Sequence, residues 1–238
     1  MARAVRPTGP GASGAGRPAG ERIPARIDLG AVEGSLRRVQ REFARINERL
    51  RSRRDPMDDR VVDNLLAGYA LVDALAADRV DLFAMGQLRH WLELNTLVLC
   101  GTSAARRAEY ASHLAATERR FYDTPAAGIQ DVVEWHARHR GESAWSRAAG
   151  VYVRILGKPQ LFIEGNHRTG SLVMSYLLLR AGHPPFVLSV DNAAAYFDPS
   201  SVLSDSRKGS AAMLVRSPWL RRRLATLLQA HANPRYLR

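Results

Sequence analysis

Apolar residues recur three or four positions apart along most of this chain, with polar residues filling the gaps. That period predicts helices rather than strands. A first helix is expected over residues 29–53, where Val32, Leu36, Val39, Phe43, Ile46 and Leu50 form one narrow apolar seam and the other faces are dense in Arg and Glu. Pro56 and Asp58-Asp59 mark a turn and a new start, followed by Val61, Leu65, Tyr69, Val72 and Leu75. A third helix should open at Asp81, turn Leu82, Met85, Leu88, Trp91 and Leu92 inward, and end at Gly101. Met85 and Trp91 fall on the apolar period and are read as core.

The second half continues the pattern. Residues 103–119 are rich in Ala and Arg and read as helix, and 129–139 follow with Ile129, Val132 and Val133 near one side. Ser143 caps a helix that buries Ala149, Tyr152 and Ile155, with Trp145 on the same face, until Gly157-Lys158-Pro159 breaks it. After a loop at 160–171, an amphipathic run continues to Arg180, and Gly182-His183-Pro184-Pro185 stops it. Asp191 is expected to cap a short helix ending near Phe197, since Asp198-Pro199 should break it. Ser217-Pro218 should start the last helix, whose apolar side holds Leu220, Leu224, Leu227 and Leu228 beside Trp219. No alternating run is long enough for a sheet, so the expected architecture is an all-α bundle.

Composition adds a domain boundary and a charge. Residues 1–26 are rich in Gly, Pro, Ala and Arg with almost nothing to bury, which predicts a flexible basic arm before a helical domain at 27–238. The net charge is +12, and all but Lys158 and Lys208 of the 35 basic residues are arginine. Such a surface attracts acidic partners. The arginines are spread along helices rather than set among exposed aromatics, which argues against a nucleic-acid binder. The one cysteine, Cys100, excludes an internal disulfide, lies in an apolar run, and suits a reducing, cytoplasmic setting. No apolar stretch reaches membrane-spanning length. The seam of the first helix suits packing on the same chain, with pairing of two chains into a homodimer as the alternative.

Candidate chemistry concentrates at 160–171, Gln-Leu-Phe-Ile-Glu-Gly-Asn-His-Arg-Thr-Gly-Ser. A Gly/Asn loop feeding a helix N-terminus suits an anion, because free backbone N–H groups and the helix dipole both favour negative charge. Gly165 permits a left-handed backbone, Asn166 carries its own amide donor, Arg168 can fork onto phosphate, and Glu164 can hold a divalent cation. A Gly/Asn turn capping a core helix is the plain alternative. His136 and His139 stand three apart and can share a helix face, but no third metal ligand lies near them in sequence.

The stretch resembles the signature loop of the Fic/Doc (Fido) family, H-x-F-x-D/E-G-N-G-R-x-x-R. Phe162, Glu164, Gly165, Asn166 and Arg168 match it. The resemblance covers residues 129–198 and, more loosely, the chain after residue 28. It implies a Fic-like helical bundle with a small β-hairpin flap before the motif, falling near 117–125. It also implies a nucleotide, usually ATP, bound with Mg²⁺, and transfer of AMP to a Ser, Thr or Tyr hydroxyl of a target protein. Three positions depart from the pattern: the general-base His is Gln160, the second glycine is His167, and the last Arg is Ser171. Gln160 cannot titrate, so the base contribution should be missing there. His167 is left with three readings: a phosphate contact, a relocated base, or no role. Glu33-Gly34 matches the end of the family's self-inhibiting pattern, S/T-x-x-x-E-G/N, but Leu29 stands at its start, and a carboxylate near a helix start is the alternative. Two functions follow from the resemblance. One is a diverged nucleotidyltransferase with Glu164 on metal and Gly165, Asn166, His167 and Arg168 on phosphate. The other is a pseudoenzyme that senses nucleotide or binds a partner.

Overall fold

The computed structural model describes residues 25–123, 128–204 and 211–238, without the side chains of 199–204 and 211–216. Residues 1–24 of the expected arm lie outside the described residues. Ten α-helices are present among those described: α1 (Leu29–Glu48), α2 (Asp59–Ala77), α3 (Arg89–Cys100), α4 (Ala104–Glu109), α5 (Ala111–Asp123), α6 (Ile129–Arg138), α7 (Ala144–Leu156), α8 (Asn166–Arg180), α9 (Ala193–Ser204) and α10 (Ala211–Ala230). The fold is all-α. The described residues hold no strand, only one isolated antiparallel bridge between Ile27 and Leu237. No helix among them is long and apolar enough to cross a membrane.

Helix α8 is the axis of the bundle. Every residue from Thr169 to Leu179 is buried, so this helix is apolar nearly all round and must be enclosed on every side. Helix α7 packs along it, α2 and α3 close other sides, and α10 and α6 cover α7. Two of its buried hydroxyls are paired with main-chain carbonyls. Ser175 donates to the carbonyls of Ser171 and Phe186 at 2.8 and 2.9 Å, and Tyr176 donates to the Val80 carbonyl. At Gly150 on α7 a Cβ would overlap the Trp135 ring of α6, so the missing side chain lets these two helices meet.

The expected seam of α1 is buried, from Val32 to Ile46, and Leu50 just beyond the helix is buried as well. The chain itself covers this face, through α2 and the turn at Pro234–Tyr236. Asp28 caps α1 by accepting from the Ala31 N–H at 2.9 Å. The segment before α1 is tied down. Asp73 accepts from Arg26 and, at 2.7 Å, from the Ile27 N–H, so Arg26 belongs to the folded body rather than to an arm.

Several expected boundaries are corrected. Helix α1 ends at Glu48, and 49–58 form the connection to α2. The third helix begins at Arg89 rather than Asp81, because 81–88 fold as a turn and a short 3₁₀ segment. Met85 sits on that segment, 73% exposed, instead of on the apolar face of α3. Trp91 is core, and its indole N–H donates to the Leu82 carbonyl at 2.7 Å. Residues 103–119 split into α4 and α5 at Tyr110. Among the described residues of the expected flap, 117–123 are instead the last turns of α5, and Phe121 stacks on Phe162. Residues 124–127, including Pro125, lie outside the described residues.

Helices α9 and α10 both run through a proline, Pro199 and Pro218. Each proline removes a helical hydrogen bond. Tertiary packing outweighs that loss, through Tyr196 beside Tyr152 and Phe186 for α9, and through buried Leu220, Leu224 and Leu228 for α10. Asp191 is exposed. Ser189 and Asn192 form the turn before α9 instead, with each backbone N–H donating to the other's side chain, at 2.9 and 3.3 Å.

Candidate anion site at the start of α8

The loop that opens α8 is built from inside. Gly157 ends α7, and the Leu161 N–H returns to the Ile155 carbonyl at 3.1 Å. Leu161 and Phe162 are fully buried and anchor the loop in the core. Asn166 then clamps it. Its carbonyl oxygen accepts from the Phe162 N–H at 2.9 Å, and its amide donates to the Phe162 carbonyl at 2.9 Å and to Gln160 Oε1 at 3.2 Å. Asn166 is buried, and this amide is occupied in holding the loop rather than facing solvent.

Gly165 takes φ +75°, a left-handed conformation that favours glycine. A Cβ there would also come within 2.9 Å of Asn95 Nδ2. Asn95 braces the turn from α3, donating to the Glu164 carbonyl at 2.9 Å and to Thr169 Oγ1 at 3.0 Å. The Thr169 N–H reaches the Gly165 carbonyl at 2.9 Å, which closes the first helical turn, and no side chain caps that turn. The N–H groups at its start are the unpaired donors every helix begins with.

They open on a cavity of about 320 Å³ lined by Glu164, Gly165, Asn166, His167, Arg168 and Ser171. Arg54 and Asp55 enter from the α1–α2 connection, and Phe43, Leu65, Tyr69, Phe186 and Phe197 form apolar walls. Arg168 donates to the Val98 carbonyl at 3.2 Å. Burial lowers its pKa, opposed by the charges of Glu164, Asp55 and Asp58. It forms no ion pair among the described residues, so a guanidinium with further donors faces this cavity.

His167 shares a hydrogen bond between Nδ1 and the Tyr152 hydroxyl at 3.0 Å, and its carbonyl accepts from Tyr196 at 3.2 Å. Burial, and then the charges of Arg54 and Arg168, lower its pKa to about 4. The ring is therefore neutral at neutral pH. Ser171 donates to the Arg168 carbonyl at 2.7 Å, a bond internal to the helix.

Gln160 is bonded to this group but lies outside the cavity lining. Its side chain accepts from Asn166, and its main-chain carbonyl accepts from Arg120 at 2.8 Å. Five of the six predicted residues thus share one cavity, and the one at the general-base position does not. Glu33 is exposed on α1, lies 3.5 Å from Arg37 and does not line the cavity.

Glu164 is exposed at the cavity, with Asp55 as the other carboxylate in the lining. No group of three His, Cys, Asp or Glu residues suited to a metal occurs among the described residues. That donor set fits Mg²⁺ only in its usual nucleotide-bound form, with one or two carboxylates, phosphate oxygens and water. His136 and His139 do not form a ligand pair: His136 stacks on Phe83 at 3.7 Å, and His139 stacks on Trp135 at 4.0 Å.

Sequence reading missed Arg54, Asp55, Asn95 and Tyr152 as parts of the site. A signal for Asn95 was present, since a lone amide amid the apolar run of α3 needs a buried partner. Comparisons of the chain with protein-family models, curated proteins and solved structures found no match.

Proposed function

We propose that this protein is a Fic-like module that binds the phosphates of a nucleotide at the 164–168 turn and does not transfer them. One observation carries the reading: the uncapped first turn of α8 and the Arg168 guanidinium, with donors to offer, face the same cavity. Both favour an anion with several acceptor oxygens. The apolar walls suit the flat face of a base. Mg²⁺, when bound, would balance phosphate charge, with Glu164 as its nearest carboxylate and Asp55 beside it. In the family pattern the base is the first motif residue. Here that residue is Gln160, tied to Asn166 and outside the cavity, while His167 is bonded to Tyr152 and burial makes it a weak base. These features favour retention without transfer.

Calorimetric titration with each nucleoside triphosphate and Mg²⁺, with intact-mass measurement on the same samples, tests the reading. At least one nucleotide should give binding heat with no mass gain. Arg168→Ala should weaken that binding by about tenfold to a hundredfold, the usual range for a hydrogen bond to a charged group. A nucleotide-sized mass gain would replace the binding module with a transferase. Absence of heat with all the nucleotides would remove the nucleotide reading.

A further inference from the structure

Two guanidinium groups reach the α8 cavity from different parts of the chain. Arg168 lies in the first turn of α8, and Arg54 in the α1–α2 connection. The main chain of Arg54 is clamped by Asn47 of α1. The Asn47 side-chain oxygen accepts from the Arg54 N–H at 2.8 Å, and its amide donates to the Arg54 carbonyl at 2.9 Å. The Arg51 N–H donates to Asp198 at 3.0 Å, which ties the same connection to α9. The Arg54 guanidinium donates to the Phe197 carbonyl at 3.2 Å, and its Cζ sits over the Phe197 ring, 5.5 Å from the centroid. Phe197 is a cavity wall, so the charge is stationed at the cavity before any ligand arrives. Less side-chain entropy then remains to be lost on binding.

The charge acts inside the cavity. Arg54 disfavours the imidazolium of His167 and favours the phenolate of Tyr196, and both side chains line the cavity. Arg168 acts on His167 in the same sense. The same imidazole therefore feels two positive charges, one from α8 and one from the connection before α2. Asp55 and Glu164 also line the cavity and attract Arg168, but both are exposed, where water and salt screen them. Like charges brought to one cavity repel, and an anion between them removes the repulsion. One guanidinium fork matches the oxygens of one phosphate. Two forks, the second held on a separate segment, match two phosphates in sequence.

We propose that Arg54 is a phosphate-binding residue and that the cavity takes a chain of two or more phosphates, one at the α8 turn with Arg168 and the next at Arg54. This rests on the phosphate reading of the site and deepens it: Arg54 sets the length of the phosphate chain that is retained.

Calorimetric titration of the full chain with inorganic phosphate and pyrophosphate, and with AMP and ADP in the presence of Mg²⁺, tests the proposal. The parent protein should bind pyrophosphate over phosphate, and ADP over AMP, by about tenfold or more, the scale of one hydrogen bond to a charged group. Arg54→Met keeps an apolar stem against Phe197 and removes the charge. It should abolish both preferences while leaving phosphate and AMP binding nearly unchanged. Arg53→Met removes the same charge from an exposed neighbour outside the cavity lining, and should keep both preferences. The proposal fails if the parent shows no preference or if Arg54→Met retains it. It also fails if Arg54→Met weakens all four ligands alike, as loss of a structural clasp would, or if Arg53→Met acts equally, as general attraction to a basic surface would. Should the parent bind none of the four, the phosphate reading itself falls. The Arg54 Nε–H resonance of the parent tests the same point without a substitution. Pyrophosphate should shift it further than phosphate does, and an unmoved resonance under saturating pyrophosphate would overturn the assignment.

Discussion

At the scale of single residues, His167 illustrates how placement sets chemistry. Burial and two neighbouring guanidinium groups lower its pKa from the ordinary 6.5 to about 4. His136 behaves alike, lowered to about 4 by burial first and then by Arg147. In both cases the unfolded chain binds a proton at a higher pH than the native protein does. The stability these two rings contribute should therefore fall as pH drops from about 6.5 towards 4, and their share of the loss should level off below that. Chemical unfolding across this range should show the slope, and His167→Phe should make it shallower. An imidazole C–H resonance of His167 that titrates near pH 6.5 would contradict the environment described. Tyr152 holds the ring through Nδ1 at 3.0 Å.

At the scale of elements, α7 and α8 were legible because each is a long periodic run bounded by strong signals. Ser143 caps α7 as expected, accepting from the Ser146 N–H at 3.2 Å, whereas α8 begins at Asn166, inside the stretch 160–171 that was expected to be loop. The turn before α3 and the prolines of α9 and α10 were misread for one physical reason. Local propensity amounts to a few tenths of a kcal/mol to about 3 kcal/mol per residue, and packing over a whole face exceeds it. Close approach of helices is just as nonlocal. Gly150 reads as an ordinary helical glycine, yet the Trp135 ring occupies the place of its side chain. Gly150→Ala should lower unfolding free energy by about 1–3 kcal/mol, the usual cost of overpacking. Gly141, with open space around it, is the control, and Gly141→Ala should change little in the same urea titration.

At the scale of the whole molecule, segments distant in sequence are clasped together. The Asp28 N–H donates to the Tyr236 carbonyl at 2.9 Å, the Arg238 N–H donates to the Arg26 carbonyl at 3.0 Å, and both lie beside Asp73 on α2. Burial works against the Asp73 charge. Hydrogen bonds from Arg26 and the Ile27 N–H, with the Arg26 charge, outweigh it and hold the carboxyl below its ordinary value. This contribution is complete above about pH 4, the unfolded carboxyl value, and is lost as pH falls through the lower native value. Asp73→Ala leaves the buried Ile27 N–H unpaired and should lower stability by about 1–3 kcal/mol. Hydrogen exchange should show the amides of Ile27, Asp28 and Arg238 losing protection first. Unchanged protection at those amides would mean that the clasp does not depend on Asp73.

What the sequence determined by itself is what depends on neighbours within a few positions. Helical class, the α1 seam and the cap at Ser143 follow from backbone hydrogen bonds and from a 3.6-residue period, which are local. Only the tertiary structure decided which side chains meet. It brought Arg54, from the connection after α1, to the same cavity as Arg168. It turned Gln160 onto Asn166 and out of the lining of that cavity, and made 117–123, the described part of the expected flap, the end of α5. These outcomes depend on contacts across 40 or more positions, such as Arg120 with Gln160, and are settled by burial and hydrogen-bond satisfaction summed over the whole core.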